Sequence, residues 1–355
     1  MGRVRVATAT MIVAACGGRG RQLAPIRLEP LVSFGAEAGE GAIATDPRVS
    51  AHHPDGFRIV IPGAGAGGIA ALPLVYSDDG HFLGPLPGGG AAAGQFQVPL
   101  FARIGPADSI WVFDGSQRAL VFGPDRRYAR AAQLPEVPWD ALVLPDGRML
   151  IAPANADRPL PLLLLSQTGD LVRELGAAKS AATMPPTPRW LIRDVDGSFW
   201  SMPMQFRWRL EHWDTNGAAI SILERRTAWF EPYTTISTPD RDHAPQPAVQ
   251  GAWIDGIGRL WVLGTAADPR WERGLGPPRP GSPARVIADP DKVYDTILEA
   301  IELRTGKLVA AARMDPSYSS VVEPGVILHV RETAGGWKKA ELMKVVFEPE
   351  TAKRP

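Results

Sequence analysis

Residues typical of tight turns recur along this chain and divide it into apolar runs that are too short for ordinary helices. In residues 188–217, Asp196 with Gly197 and Asn216 with Gly217 interrupt and end three runs rich in Trp, Phe, Leu and Ile. Apolar runs divided by Asp-Gly or Asn-Gly are the strongest short-range signal for a β-hairpin. The chain is therefore predicted to consist of antiparallel strands joined by hairpins.

This turn-and-strand unit occurs six times, at intervals of roughly 40 to 70 residues, which predicts a repeat architecture. The turns that open the six units lie at Asp55, Ala107, Asp146, Asp196, Gly256 and Pro324. A single four-stranded meander cannot bury both of its faces, whereas several meanders packed around an axis can. The predicted fold is all-β, a six-bladed β-propeller of four-stranded antiparallel blades.

The last unit has only three strand-like runs before the chain ends, so its fourth strand must come from elsewhere. A spare strand-like run, residues 26–34, lies before the first unit. We expect this run to complete the last blade as its outer strand, because such a closure leaves no blade half-built. The sequence thus predicts a single propeller over residues 26–348, followed by a short tail, residues 349–355.

Charge excludes one class of partner. The chain has 38 basic and 38 acidic side chains, and therefore no net charge. A general nucleic-acid binder needs a basic surface, so no nucleic-acid partner is expected. The 37 glycines and 35 prolines agree with a β protein that has many turns.

The only cysteine, Cys16, follows a basic start and a short apolar run, and Val13, Ala14 and Ala15 precede it. This order resembles the lipobox of bacterial lipoproteins, in which the cysteine is lipidated and becomes the new N-terminus. Residues 1–16 are then a signal peptide, and residues 17–25 are a tether that reaches at most about 30 Å. The resemblance implies a lipid-anchored protein of the bacterial envelope, at the outer membrane or facing the periplasm. An ordinary secretory signal and a fortuitous start of a cytoplasmic protein are the alternatives.

The second unit has the most regular pattern. Ile-Trp-Val-Phe-Asp at residues 110–114 leads to Arg118 and a further apolar run, and a glycine-rich connector, residues 88–94, precedes the unit. This pattern resembles the blades of NHL-repeat propellers. The whole chain resembles bacterial six-bladed β-propeller lipoprotein-like proteins. This resemblance implies a fold and a location rather than an activity.

The long connections all join the second strand of a blade to the third, or the last strand to the next blade. These two kinds of connection leave a meander at the same face, whereas the other turns are short. Loops on a rigid scaffold commonly carry function, so this loop-rich face is the candidate binding face. The long segments are residues 63–71, 88–98, 176–187, 225–250 and 264–293.

Five residues in the two longest loops are candidates for contact with a protein or glycan ligand. They are Trp229, Phe230, His243, Trp271 and Arg273. Aromatic residues and arginine are typical anchors of recognition surfaces. The alternative is that the aromatic residues cover the top of the central channel. His243 stands beside acidic residues, which makes it a candidate base or an exposed ion-pair partner.

A metal-dependent hydrolase of the lactonase or esterase type is the alternative function. Six-bladed lactonases hold a metal near the axis with carboxylates and asparagines, and comparable positions here carry Asp140, Asp194, Asp255 and Glu323. Calcium or another divalent metal would be the cofactor. The chain has no Gly-x-Ser-x-Gly motif and no paired-histidine metal spacing, so a non-catalytic binding module without a cofactor is the first expectation.

Overall fold

The computed structural model describes residues 9–13, 25–63, 72–88, 94–155, 162–176, 187–240, 242–278 and 285–347, with backbone only for the first of these segments. Three predicted features lie outside the described residues: Cys16, the tether up to residue 24, and the C-terminal tail. The lipidation site therefore stays a prediction. No helix in the described segments has the length and apolar character needed to cross a membrane.

Strands make up nearly all of the regular structure. In chain order they are β1 (Ala9–Val13), β2 (Ile26–Phe34), β3 (Pro47–His53), β4 (Phe57–Pro62), β5 (Leu74–Ser77), β6 (Phe82–Pro85), β7 (Pro99–Ile104), β8 (Ile110–Asp114), β9 (Arg118–Phe122), β10 (Tyr128–Gln133), β11 (Pro138–Val143), β12 (Met149–Pro153), β13 (Leu162–Leu165), β14 (Leu171–Leu175), β15 (Arg189–Arg193), β16 (Phe199–Pro203), β17 (Arg209–Trp213), β18 (Ala219–Arg225), β19 (Ala248–Ile254), β20 (Arg259–Ala267), β21 (Leu275–Pro278), β22 (Arg285–Ile287), β23 (Tyr294–Glu302), β24 (Lys307–Met314), β25 (Tyr318–Glu323), β26 (Val326–Glu332) and β27 (Lys338–Phe347).

These strands form six four-stranded antiparallel blades, and the fold is a six-bladed β-propeller, which confirms the predicted class. Blades one to four are β3–β6, β7–β10, β11–β14 and β15–β18, in chain order. Blade five is β19, β20, β23 and β24, because the hairpin β21–β22 is inserted between its second and third strands. Blade six is β25, β26 and β27, completed by β2.

The structure confirms that β2 completes blade six as its outer strand. β2 runs antiparallel to β27, from Ile26 opposite Phe347 to Phe34 opposite Ala340. The ladder shifts by one residue between Pro30 and Val32. Proline is tolerated there because β2 is an edge strand, on which one row of backbone groups needs no partner.

By packing, the chain divides into two compact units. The first unit consists mainly of Leu175–Asp315 and holds blades four and five. The second unit holds blades one, two, three and six, mainly within Pro25–Asn155 and Pro316–Pro355. That residues 26–348 form a single domain stays a prediction.

Within each unit, apolar clusters lie between successive blades. In the second unit, Ile59 of blade one packs with Leu120 of blade two, and Val121 of blade two packs with Ile151 of blade three. The second strands β4, β8 and β12 are buried at every position. A strand covered on both faces reads as a continuous apolar run, which explains why these runs do not alternate with polar residues.

Blade four has an additional neighbour in the first unit. Ala9–Val13, which the sequence assigns to a signal peptide, pairs in parallel with β18 and adds a fifth strand to the sheet. β18 is the last strand of the blade, so its outer edge is available to an extended segment.

The stability of the fold should depend on Phe34, the last residue of β2. Phe34 is fully buried and its ring lies 5.2 Å from the ring of Tyr76 in blade one. Phe34→Ala should lower the free energy of unfolding by about 3–5 kcal/mol, because a large cavity opens in the core. Leu31→Ala, in the same strand but 47% exposed, should change it by no more than about 0.5 kcal/mol. Urea unfolding measures both, and equal effects would contradict the role of β2.

Candidate binding surface

The two longest connections of the first unit meet blade five at the same edge. Residues 226–247 lead from β18 into β19, and residues 268–293 lead from β20 to β23. Ala248, at the start of β19, pairs with Thr265 near the end of β20, which places the two loop bases side by side.

Tyr233 holds the first loop against the blade. Its hydroxyl donates to the carbonyl of Pro247 at 2.9 Å, and its backbone N–H donates to the carbonyl of Phe206 at 3.1 Å. Its ring packs 5.2 Å from Phe206 and 6.1 Å from Phe230, measured between ring centroids. The loop therefore has a small apolar base of its own.

The second loop folds into a compact insertion. A 3-10 turn (Trp271–Gly274) leads into the hairpin β21–β22, and a short helix α1 (Pro290–Val293) leads out of it. The Gly274 carbonyl accepts hydrogen bonds from the backbone N–H groups of Ala288 at 2.9 Å and Asp289 at 3.1 Å. A Cβ at Gly274 would lie 2.5 Å from Cγ2 of Val293, so this close approach needs glycine.

The two loops are joined to each other. The backbone N–H of Arg285 donates to the carbonyl of Pro239 in a long hydrogen bond of 3.4 Å. We call the described part of the two loops, residues 226–240, 242–247, 268–278 and 285–293, the loop platform. It exposes two aliphatic side chains near the junction, Ile236 at 58% and Val286 at 42%.

The structure separates the five predicted contact residues into two groups. His243 and Arg273 are exposed on the loop platform. Phe230 and Trp271 are buried, at 1% and 8% exposure, and would have to leave their packing to touch a ligand. Trp229 is half-buried and packs so close over Gly264 that a Cβ there would come within 2.3 Å of its ring. The aromatic residues therefore hold the loops on the blade.

His243 belongs to a small cluster that caps its own loop. Its Nδ1 lies 3.0 Å from both carboxylate oxygens of Asp240. Oδ1 of Asp240 also accepts the backbone N–H groups of Asp242 at 2.8 Å and His243 at 2.9 Å. These hydrogen bonds, first that from Asp242, lower the pKa of Asp240. The arrangement stabilises the turn and leaves the His243 ring at the surface.

A buried ion pair below Trp229 was not predicted from the sequence. Arg225 Nη1 lies 3.3 Å from Oε2 of Glu299, and both side chains are 6% exposed. The Arg225 guanidinium also lies over the ring of Trp208, 5.4 Å from its centroid. Burial raises the pKa of Glu299, while the charge of Arg225 opposes that rise. A charged residue inside the apolar run of β23 is the only sequence signal for this pair.

Two of the predicted metal ligands are turn caps of the first unit. Oδ1 of Asp194 accepts the backbone N–H of Val195 at 2.7 Å, and its Oδ2 accepts the indole N–H of Trp200 at 2.8 Å. Asp255 repeats this arrangement, with the indole N–H of Trp261 at 2.9 Å. Each aspartate precedes its tryptophan by six residues, a spacing visible in the sequence.

The other two predicted metal ligands, both in the second unit, are held by cations. Asp140 Oδ1 accepts from Nη2 of Arg103 at 2.5 Å. Glu323 accepts from Nη2 of Arg58 at 2.8 Å and lies 2.8 Å from Nδ1 of His52. Nowhere in the described segments do three His, Cys, Asp or Glu side chains come together as metal ligands. The described residues do not fit the metal centre of the alternative hydrolase.

No family model matches the chain, and no curated protein matches it. A Bacteroides fragilis protein described as exported is similar in structure, with a TM-score of 0.57 and 8% identity, over 96% of this chain and 100% of that one. A Bacteroides caccae protein of unknown function gives 0.47, at 11% identity over 78% and 83% of the two chains. A Xanthomonas campestris gluconolactonase gives 0.46, at 14% identity over 92% and 99%.

The first of these similarities supports the propeller fold and nothing finer. The identities are too low to indicate a shared function, and the other two TM-scores are too low to support an argument. The resemblance to NHL-repeat propellers and to lipoprotein-like propellers therefore stays a prediction.

The Arg225–Glu299 pair should make stability depend on pH once it is broken. In Arg225→Met, the buried Glu299 carboxylate loses its cation, so the folded state should bind a proton more tightly than the unfolded state, whose pKa is about 4.5. The loss should therefore be small near pH 4.5 and grow as pH rises, to about 3–5 kcal/mol at pH 7.

Urea unfolding at both pH values measures this effect. Arg331→Met is the control, because Arg331 is 58% exposed and pairs with Glu341 at the surface, where a pair contributes at most about 1 kcal/mol. An equal loss at both pH values would show that the Arg225–Glu299 pair does not control the effect.

Proposed function

We propose that the chain is a lipid-anchored, non-catalytic binding module of the bacterial envelope, which recognises a partner through the loop platform. The observation that supports this best is the junction of the two longest loops of the first unit, which pack on themselves and on each other. A surface ordered before binding loses less conformational entropy when a partner docks. Loops held by a rigid scaffold are the usual place for such a surface.

The side chains on the loop platform favour a protein partner over a glycan. Ile236 and Val286 are exposed aliphatic residues, and the loop platform also exposes charges of both signs, among them Arg270, Glu272 and Arg273. Exposed aliphatic and charged side chains on one surface are typical of protein interfaces. Glycans are often held by exposed aromatic rings, whereas Phe230 and Trp271 are buried here.

Anchoring at Cys16 would keep the loop platform in the envelope. The predicted tether, residues 17–25, reaches at most about 30 Å, so the folded part would stay near the membrane. More than one acyl chain is needed for stable attachment, and a lipidated N-terminal cysteine would carry several.

Two changes to the loop platform should abolish capture of the partner while the fold is kept. The first replaces residues 268–293 with Asn-Gly, because Ala267 and Tyr294 are paired across the ladder and a two-residue turn can join them. The second is Ile236→Asp with Arg273→Glu, at two exposed positions. The measurement is chemical crosslinking and co-purification from detergent-solubilised membranes, with thermal unfolding as the test of fold.

Val195→Asp is the matched control, because Val195 is 77% exposed on a turn of blade four and belongs to neither loop. It should capture the same partner as the wild-type chain. Cys16→Ser should leave the membrane fraction and capture nothing there. If both loop variants fold and still capture the wild-type partner, the loop platform is not the binding surface.

A further inference from the structure

The first strands of blades one, two and three pack side by side in the second unit, with β7 between β3 and β11. They carry two arginines, Arg48 on β3 and Arg103 on β7, and one carboxylate, Asp140 on β11. This small area therefore has an excess of positive charge, although the whole chain is neutral. The three strands belong to the second unit, whereas the loop platform belongs to the first.

Arg103 is fully engaged by its surroundings. Its Nη2 donates to Oδ1 of Asp140 at 2.5 Å, and its Nε donates to the carbonyl of Ala141 at 3.1 Å. Its Nη1 donates to the carbonyls of Ala102 at 2.9 Å and Ser50 at 3.2 Å. The Asp140 side chain is 4% exposed and is therefore occupied in balancing Arg103.

Arg48 has no such partner. Among the described residues, no carboxylate oxygen lies within 4 Å of its guanidinium, which instead sits over the ring of Trp139, 5.5 Å from the centroid. Its side chain is exposed, yet the protein around it lowers its pKa by desolvation, and nearby Arg103 lowers it further. Asp140 opposes this only in part. The guanidinium is therefore open to solvent and at the same time close to a second cation.

A partly desolvated cation beside a second cation is unfavourable unless an anion compensates it. Charges whose environment opposes them are typical of binding and catalytic sites. A guanidinium with free N–H groups offers the two parallel donors that suit a carboxylate or phosphate. The ring of Trp139 packs against the guanidinium, and this contact reduces the entropy lost when an anion binds.

We propose that Arg48, supported by Trp139 and by the field of Arg103, is the binding site for a small oxyanion, a carboxylate or a phosphate. The proposed ligand is an anion, whereas the metal centre that the sequence suggested around Asp140 would bind a cation. The anion would contact the free donors of Arg48, while Asp140 stays paired with Arg103. The site is independent of the proposed partner binding, so either proposal can fail alone.

Isothermal titration of the full-length chain with inorganic phosphate and, separately, with acetate tests the proposal, with sodium chloride at equal ionic strength as the reference. We expect saturable heat at one site per chain for at least one of the two anions. Arg48→Gln should weaken that binding at least tenfold, and Arg48→Lys should weaken it less, because it keeps the charge but not the fork. Binding of phosphate alone would identify a phosphate site, and binding of acetate alone a carboxylate site.

Arg127→Gln is the control, because Arg127 is 88% exposed on a turn of blade two and should leave the affinity unchanged. Thermal unfolding in chloride separates binding from folding. Arg48→Gln should melt at the wild-type temperature or above it, because it removes an uncompensated charge. The absence of saturable heat with both anions would overturn the proposal, as would equal affinity in Arg48→Gln. A lower melting temperature of Arg48→Gln in chloride would show that Arg48 is a structural residue.

Discussion

The second unit depends on the backbone pairing of β2 with β27, which joins the strand that precedes blade one to the last blade. Side chains reinforce this pairing. Lys338, at the start of β27, pairs through Nζ with Glu332 at 2.8 Å and with Asp46 at 3.2 Å, and its backbone N–H donates to the carbonyl of Ile43 at 2.7 Å. Burial opposes the charge of Lys338, but Glu332 and Asp46 outweigh it and raise the pKa of Lys338. These contacts hold β27 in place and should keep blade six from fraying.

The first unit shows how charges are accommodated inside this fold. Arg189 and Glu211 are buried in blade four, with Nη1 of the arginine 2.9 Å from Oε2 of the glutamate, and Arg209 joins Glu211 to the half-buried Glu224. Such networks contribute little net stability, because desolvation offsets the attraction, but removing one member is costly. Arg48, in the second unit, differs from these arginines, because it is partly desolvated and no carboxylate is in contact with it. That contrast is the physical basis of the oxyanion proposal.

Much of the fold could be predicted because its signals are local. Turn residues such as Asp196 and Gly197 mark hairpins directly, and the spare run that became β2 was recognisable because the last blade lacked a strand. The roles of Phe230 and Trp271 could not be predicted, because an aromatic residue that covers a loop and one that binds a ligand have the same sequence signature. The charge excess at Arg48 could not be predicted either, since it arises where strands distant in sequence meet.

The proposed binding role requires a loop platform that is ordered before any partner binds. Hydrogen exchange of the free, full-length chain, followed by mass spectrometry, tests this claim directly. Peptides that cover residues 268–278 and 285–293 should be protected, because the backbone N–H groups of Trp271, Ala288 and Asp289 are hydrogen-bonded within the insertion. Complete exchange of these peptides at the earliest time, while β20 and β23 stay protected, would contradict the account.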